Sequence, residues 1–194
     1  MIEFIHAQPG RPLVLLDAKR GDIDKTANAY AAAAYETFGA DSVTVNAYMG
    51  LDTLQPFLAH AKKGIFALCK TSNPGSNDLQ TLKLDSGEML YERVAQLCVG
   101  EKFERGSSVG LVVGATDVEA LKTIRTRYPN VWILSPGVGA QGGDIESALS
   151  AGINRRTKQG LIIAVSRQVS KAADPGAEAK KIVETSRRLL SAML

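Results

Sequence analysis

The sequence predicts an α/β fold on a parallel sheet, and three observations carry that prediction. Short apolar runs alternate with longer amphipathic segments from one end of the chain to the other, the pattern of βα units whose crossovers cover a parallel sheet. Gly-, Pro- and Ser-rich segments follow several of these runs, as at Ser72-Asn73-Pro74-Gly75-Ser76 and from Pro136 to Gly143, which gathers loops at the carboxyl ends of the strands as in a barrel. No G-x-G-x-x-G follows the first strand, so a doubly wound dinucleotide fold is the weaker match.

Taken in order, Met1 to Gln8 reads as the tail of a helix, with Ile2, Phe4 and Ile5 apolar. Leu13 to Leu16, after Arg11-Pro12, reads as a strand buried on both faces, and alternation at its tip aims Asp17 and Lys19 the same way. Asp24 is the expected N-cap of a helix that runs through an alanine-rich segment to Phe38 and stops at Gly39. Further strands are expected at Ser42 to Val45, Gly64 to Cys69, Ser108 to Val113, Val131 to Leu134 and Leu161 to Val165. The helices between them fall at Leu51 to Ala61, Gly87 to Val99, Asp117 to Arg127 and Asp144 to Ala151. Asp174 and Pro175 open a last helix to Leu194, with Ile182, Val183, Leu189, Leu190 and Met193 as its apolar face. A (β/α)8 barrel takes about 250 residues. Six βα units here fill nearly all of 194, so the expectation is six of the eight units, as one domain over residues 1–194, with the amino-terminal part of the barrel lacking.

The composition narrows the function. With 45% hydrophobic and 22% charged residues the chain can bury a sizeable core. The net charge of +3, from 23 basic and 20 acidic residues without a block of like charge, and an aromatic content of 6% do not describe a nucleic-acid surface. Cys69 and Cys98 form no C-x-x-C pair and read as buried thiols in a reducing compartment. No apolar stretch approaches the ~20 residues of a membrane span, and the amino terminus lacks a secretory pattern. The expectation is a cytoplasmic protein with no membrane partner.

Four motifs can carry chemistry. Asp17-Ala18-Lys19-Arg20-Gly21-Asp22 sets acid, amine and acid within six residues at a strand end; taken alone it also fits a surface ion pair. The glycines between Pro136 and Gly143 let backbone approach an anion, and alone they also fit a flexible loop. Ser166-Arg167, at the end of the last strand, offers a planar guanidinium suited to phosphate. Barrels often bind phosphate in the loops of strands 7 and 8, where the glycine segment and Arg167 would lie. Ser72 offers a hydroxyl and an amide to a polar ring.

These motifs, Asp17 to Thr26, Lys70-Thr71-Ser72-Asn73-Pro74-Gly75, Ser135 to Asp144 and Ser166-Arg167, occur in the order found in orotidine 5′-monophosphate decarboxylase, which the chain resembles over most of its length. With Thr44-Val45-Asn46-Ala47-Tyr48-Met49-Gly50, the wording is similar to the branch found in some bacteria and protozoa. The resemblance implies a (β/α)8 barrel, a homodimer, that decarboxylates orotidine 5′-monophosphate to uridine 5′-monophosphate in pyrimidine biosynthesis without metal or organic cofactor. It implies Lys19 as proton donor to C6 and Asp17 beside the substrate carboxylate. Asp22, Ile23 and Thr26 would reach the neighbouring subunit's site, Thr26 toward the ribose. Ser72 would address the pyrimidine edge, with Gln141 and Arg167 on the phosphate and Pro136 lining the substrate. Family members are also found fused to orotate phosphoribosyltransferase.

The sequence departs from the family pattern in three places. A ribose-binding aspartate on the first strand and a second lysine on the second strand have no counterpart in Met1 to Pro12, and Ser166 stands where many relatives carry glycine. Two other readings therefore stay open. One is a non-catalytic barrel fragment that binds a phosphate ligand. The other is a Mg-dependent phosphosugar decarboxylase of the same superfamily, which would need carboxylates on neighbouring strand ends.

Overall fold

The computed structural model describes residues 1–100, 108–139 and 142–193. Its elements are α1 (Ile2–His6), β1 (Leu15–Arg20), α2 (Asp24–Ala32), β2 (Ser42–Val45), α3 (Gln55–Leu58), β3 (Gly64–Lys70), α4 (Leu90–Val99), β4 (Ser108–Val113), α5 (Val118–Arg127), β5 (Trp132–Pro136), α6 (Ile145–Gly152), β6 (Leu161–Ala164), α7 (Arg167–Ser170) and α8 (Pro175–Ala192). One π turn, Ala33–Thr37, prolongs α2, and short 3-10 turns precede α3 and follow β3. The six strands lie in one sheet in chain order, and β1·β2, β2·β3 and β5·β6 pair in parallel. A doubly wound sheet reverses its order at a switch point; this one does not, which is the winding of a barrel. The chain thus holds six of the eight units of a (β/α)8 barrel.

By internal packing the chain divides into two compact units, Met1–Leu68 with Arg93–Leu111, and Cys69–Glu92 with Val112–Leu194. In the first, Ala27, Ala31 and Ala34 are almost fully buried, which explains the alanine-rich helix: larger side chains would hold α2 and its π turn off their neighbours. Phe57 packs edge-on to Tyr35 at 6.5 Å, and the Tyr35 hydroxyl donates to Gly64 O at 2.9 Å. Gly39, at a φ of +72°, ends the π turn.

The second unit is built on Val112, Val113, Leu121, Ile124, Ile133 and Leu149, all buried. Arg125 lies among them, 8% exposed, and its guanidinium donates to the carbonyls of Gly152 (2.7 Å), Pro129 (2.8 Å), Val131 (2.8 Å) and Gly160 (2.7 Å). Asp117, Asp144 and Asp174 each cap a helix by accepting an amide three residues on.

Four expectations need correction. The first strand starts at Leu15 and runs on through the charged motif to Arg20, and none of its residues is buried; it stands at the end of the strand order, and Leu13 is 79% exposed. Asp24 is not the cap of α2. Ile23 takes the extended cap conformation, and Asp24 is the first helical residue, with a φ of +45°. Val183 does not join the apolar face of α8: it is 46% exposed, whereas Ile182, Leu189 and Leu190 are half-buried. The last strand stops at Ala164, one residue short of the expected Val165, and Arg167, expected at its end, opens α7.

Candidate active site

The carboxyl half of β1 is built around an irregularity. Leu15 and Leu16 stand opposite Ser42 and Val43, but Arg20 stands opposite Val45, so four steps along β1 match two along β2. Extra residues of this kind re-aim side chains. Here they carry Lys19 into the left-handed region, at a φ of +49°, a strain of about 1 kcal/mol for a residue with a side chain. Thr44, on β2 and 1% exposed, holds the distortion: its hydroxyl accepts from the Lys19 amide at 2.8 Å and donates to Asp17 Oδ1 at 2.9 Å.

Lys19 Nζ completes the arrangement by donating to the same carboxylate oxygen at 2.6 Å. Burial pushes the Asp17 carboxyl up, but the hydrogen bonds from Lys19 and Thr44, with the Lys19 charge, outweigh it and hold the pKa below the ordinary 3.8. Both side chains remain more than half exposed. A surface ion pair of this kind contributes little stability. Its buried hydroxyl anchor fixes where the ammonium stands, which suits chemistry that needs a positive charge already in place.

The following turn is ordered by its own polar groups. Asp22 Oδ1 accepts the Ile23 amide at 2.8 Å, while Ile23 (53% exposed) and Thr26 present their side chains to solvent. Gly21 leaves little room for a side chain: a Cβ there would stand 3.1 Å from Asn46 O and 3.3 Å from the Met49 methyl.

In the second unit, Ser72 lies two residues past the end of β3, half-buried, with its carbonyl accepting from the Thr116 hydroxyl at 3.4 Å. Pro136 ends β5, and its carbonyl accepts the Ala115 amide at 2.8 Å. The described glycines after it bond to one another: Gly139 N donates to Gly143 O, Gly142 N to Gly139 O, and Gly143 N to Gly137 O. Those three amides are therefore spent inside the segment and are not offered to an anion. Positive φ at Gly137, Gly139 and Gly142 is what permits these bonds.

Arg167 is exposed, and its side chain makes no hydrogen bond or ion pair among the described residues. Its neighbour Gln168 touches the glycine segment instead, leaving no space for a Cβ on Gly139, and donates to Glu178 at 2.6 Å. A cavity of about 280 Å³ opens beside them, lined in part by Val138, Gln168, Lys181 and Ile182. Gln141 lies outside the described residues. Among the described residues no group of three or more His, Cys, Asp or Glu is placed to hold a metal ion.

Sequence reasoning missed Thr44. Thr44 stands in the strand Ser42 to Val45 and in the wording that resembles the family branch, but no role attaches to it there, and nothing local says that it faces a carboxylate.

A singly wound βα sheet with charged and glycine-rich motifs at or just past strand carboxyl ends defines the chain as part of a barrel enzyme. The chain belongs to the orotidine 5′-phosphate decarboxylase / HUMPS family, whose model matches residues 5–182. It is 51% identical over 190 residues to the orotidine 5′-phosphate decarboxylase of Roseiflexus castenholzii, covering 96% of this chain and 67% of that protein. It is 47% identical over 192 residues to that of Herpetosiphon aurantiacus, covering 99% of this chain and 68% of the relative. Among solved structures, Leishmania donovani UMP synthase matches 97% of this chain and 42% of its own with a TM-score of 0.90 and 48% identity. The chain thus spans about two thirds of these curated relatives and less than half of the UMP synthase.

Proposed function

We propose that this chain serves the decarboxylation of orotidine 5′-monophosphate to uridine 5′-monophosphate in pyrimidine biosynthesis, a carbon–carbon lyase reaction. The observation that carries the reading is the Lys19 ammonium held on Asp17 with Thr44 anchoring both. As the bond from C6 to the carboxylate breaks, its electron pair stays on C6 and carbon dioxide leaves. The developing carbanion has no electron sink in the ring, so a cation already in position is what lowers its energy. Lys19 supplies that charge and then gives its proton to C6, while Asp17 keeps the ammonium in place beside the substrate carboxylate.

Ser72 addresses the pyrimidine edge in this reading, Pro136 lines the substrate, and Gln141 with Arg167 binds the phosphate. An exposed guanidinium without a protein partner among the described residues supports that role for Arg167. Phosphate binding remote from the breaking bond supplies energy for assembling the reacting geometry.

The turn carrying Asp22, Ile23 and Thr26 contributes to a neighbouring subunit's site in a homodimer, and the exposed Ile23 supports a partner there. Light scattering that returns a monomer at high concentration would refute this part. The likeness to a UMP synthase supports fusion to orotate phosphoribosyltransferase, which the mass of the native polypeptide tests. No helix among the described residues is long and apolar enough to cross a membrane, and the reading places the reaction in the cytoplasm.

The reading is tested in deuterated water. The exchanged Lys19 ammonium would leave one deuterium at C6 of the uridine 5′-monophosphate formed, and Lys19→Ala would abolish product formation. Turnover that survives Lys19→Ala refutes it.

A further inference from the structure

We propose that Lys70 is a positioning residue that sets Ser72 against the base of the substrate; the inference rests on the reading of Ser72 given above. Lys70 is the last residue of β3 and is only 3% exposed. An ammonium out of water is costly unless its protons are taken up by oxygen. Here Nζ donates to Ser76 Oγ at 2.6 Å and to Asn77 Oδ1 at 3.2 Å, and stands 3.5 Å from Asp117 Oδ2.

The placement of these partners gives the arrangement its meaning. Ser76 and Asn77 belong to the 3-10 turn Pro74–Asp78, directly after Ser72 in the chain. The Lys70 carbonyl, for its part, accepts the Gly114 amide at 2.8 Å. One residue therefore grips the segment at both ends, by backbone before Ser72 and by side chain after it. Within the grip, Thr71 N donates to Gln80 Oε1 at 2.8 Å. Gly114 presses on the enclosed residue so closely that a Cβ there would lie 2.8 Å from Ser72 Cβ. Asp117 uses its other oxygen to cap α5 at Ala120, so the ammonium also links this segment to the start of a helix.

A lysine that only filled space would affect folding and nothing else. A lysine that positions Ser72 affects recognition of the base while sparing recognition of the sugar phosphate. The two are separated by measuring dissociation constants of uridine 5′-monophosphate and of ribose 5-phosphate calorimetrically on the intact enzyme. In Lys70→Met, the nucleotide is expected to bind about tenfold more weakly with ribose 5-phosphate unchanged, the loss expected for charge-assisted hydrogen bonds. Ser76→Ala, which keeps the ammonium and its other partners, is expected to weaken the nucleotide alone by about threefold. Ser72→Ala serves as the reference. If it changes the ratio of the two constants while folded Lys70→Met and Ser76→Ala do not, the positioning role is overturned. If Ser72→Ala itself leaves the ratio unchanged, the reading of Ser72 fails, and the inference fails with it.

Discussion

Thr44 donates its hydroxyl proton to Asp17 at 2.9 Å and accepts the Lys19 amide at 2.8 Å, so one buried oxygen fixes both ends of an Asp-x-Lys motif. Thr44→Val keeps the shape and removes both interactions. Turnover is expected to fall about 10- to 100-fold, with little change in the Michaelis constant, since the loss falls on the placement of the ammonium. Thr44→Ser retains the hydroxyl and should keep most of the activity. Steady-state kinetics on the two variants checks this, and equal defects in both would count against it.

Lys19 and Arg167 should separate kinetically. Lys19→Ala is expected to lower turnover by at least about 10³-fold with ligand binding largely intact, because it removes both proton donor and charge. Arg167→Ala should mainly raise the Michaelis constant, because it removes binding energy far from the reacting carbon. A shared pattern in the two variants would show that the roles are not divided.

A pH effect is expected at Asp41, which accepts from Val14 N and His6 through one oxygen and from Arg11 through the other. Burial raises its pKa, and the bonds from Val14, His6 and Arg11 with the Arg11 charge outweigh this and bring it below the ordinary 3.8. A depressed carboxylate contributes stability that is complete above the unfolded value and is lost as pH falls through the lower folded value. Asp41→Asn should cost about 1–2 kcal/mol at neutral pH. In urea titrations, the variant and the parent should converge as pH drops below 3.8; a gap independent of pH would contradict the assignment.

Ser135 is fully buried on β5, and its hydroxyl has no partner among the described residues. Replacing it with alanine removes an unpaired polar atom, so Ser135→Ala is expected to raise stability by about 1 kcal/mol. A lower melting temperature in the variant would show that the hydroxyl is in use.

Much of the fold was legible because periodicity reports burial: β2 and β4 fall where their apolar runs lie, and Asp117, Asp144 and Asp174 cap the helices they precede. The first strand runs further than its apolar run because pairing resumes at Arg20, beyond an irregularity that holds Asp17 and Lys19, which no pattern of alternation encodes. Val165 extends the apolar run of the last strand in the sequence, although pairing stops at Ala164. The positions of Asp17 and Lys19 could be read from the chain. Thr44, 25 residues from Lys19, could not, because contacts across strands depend on register.

Arg125 lies near the end of α5, and its guanidinium takes carbonyls from Pro129 and Val131 ahead of β5, from Gly152 at the end of α6 and from Gly160 just before β6. An ammonium has three protons and no planar fork, so lysine could not occupy that junction with the same number of bonds. These separate stretches of chain have no stable partial assembly around a desolvated guanidinium. They are thereby bound into one cooperative event, in which the amino ends of two strands and the exit of a helix form together or not at all.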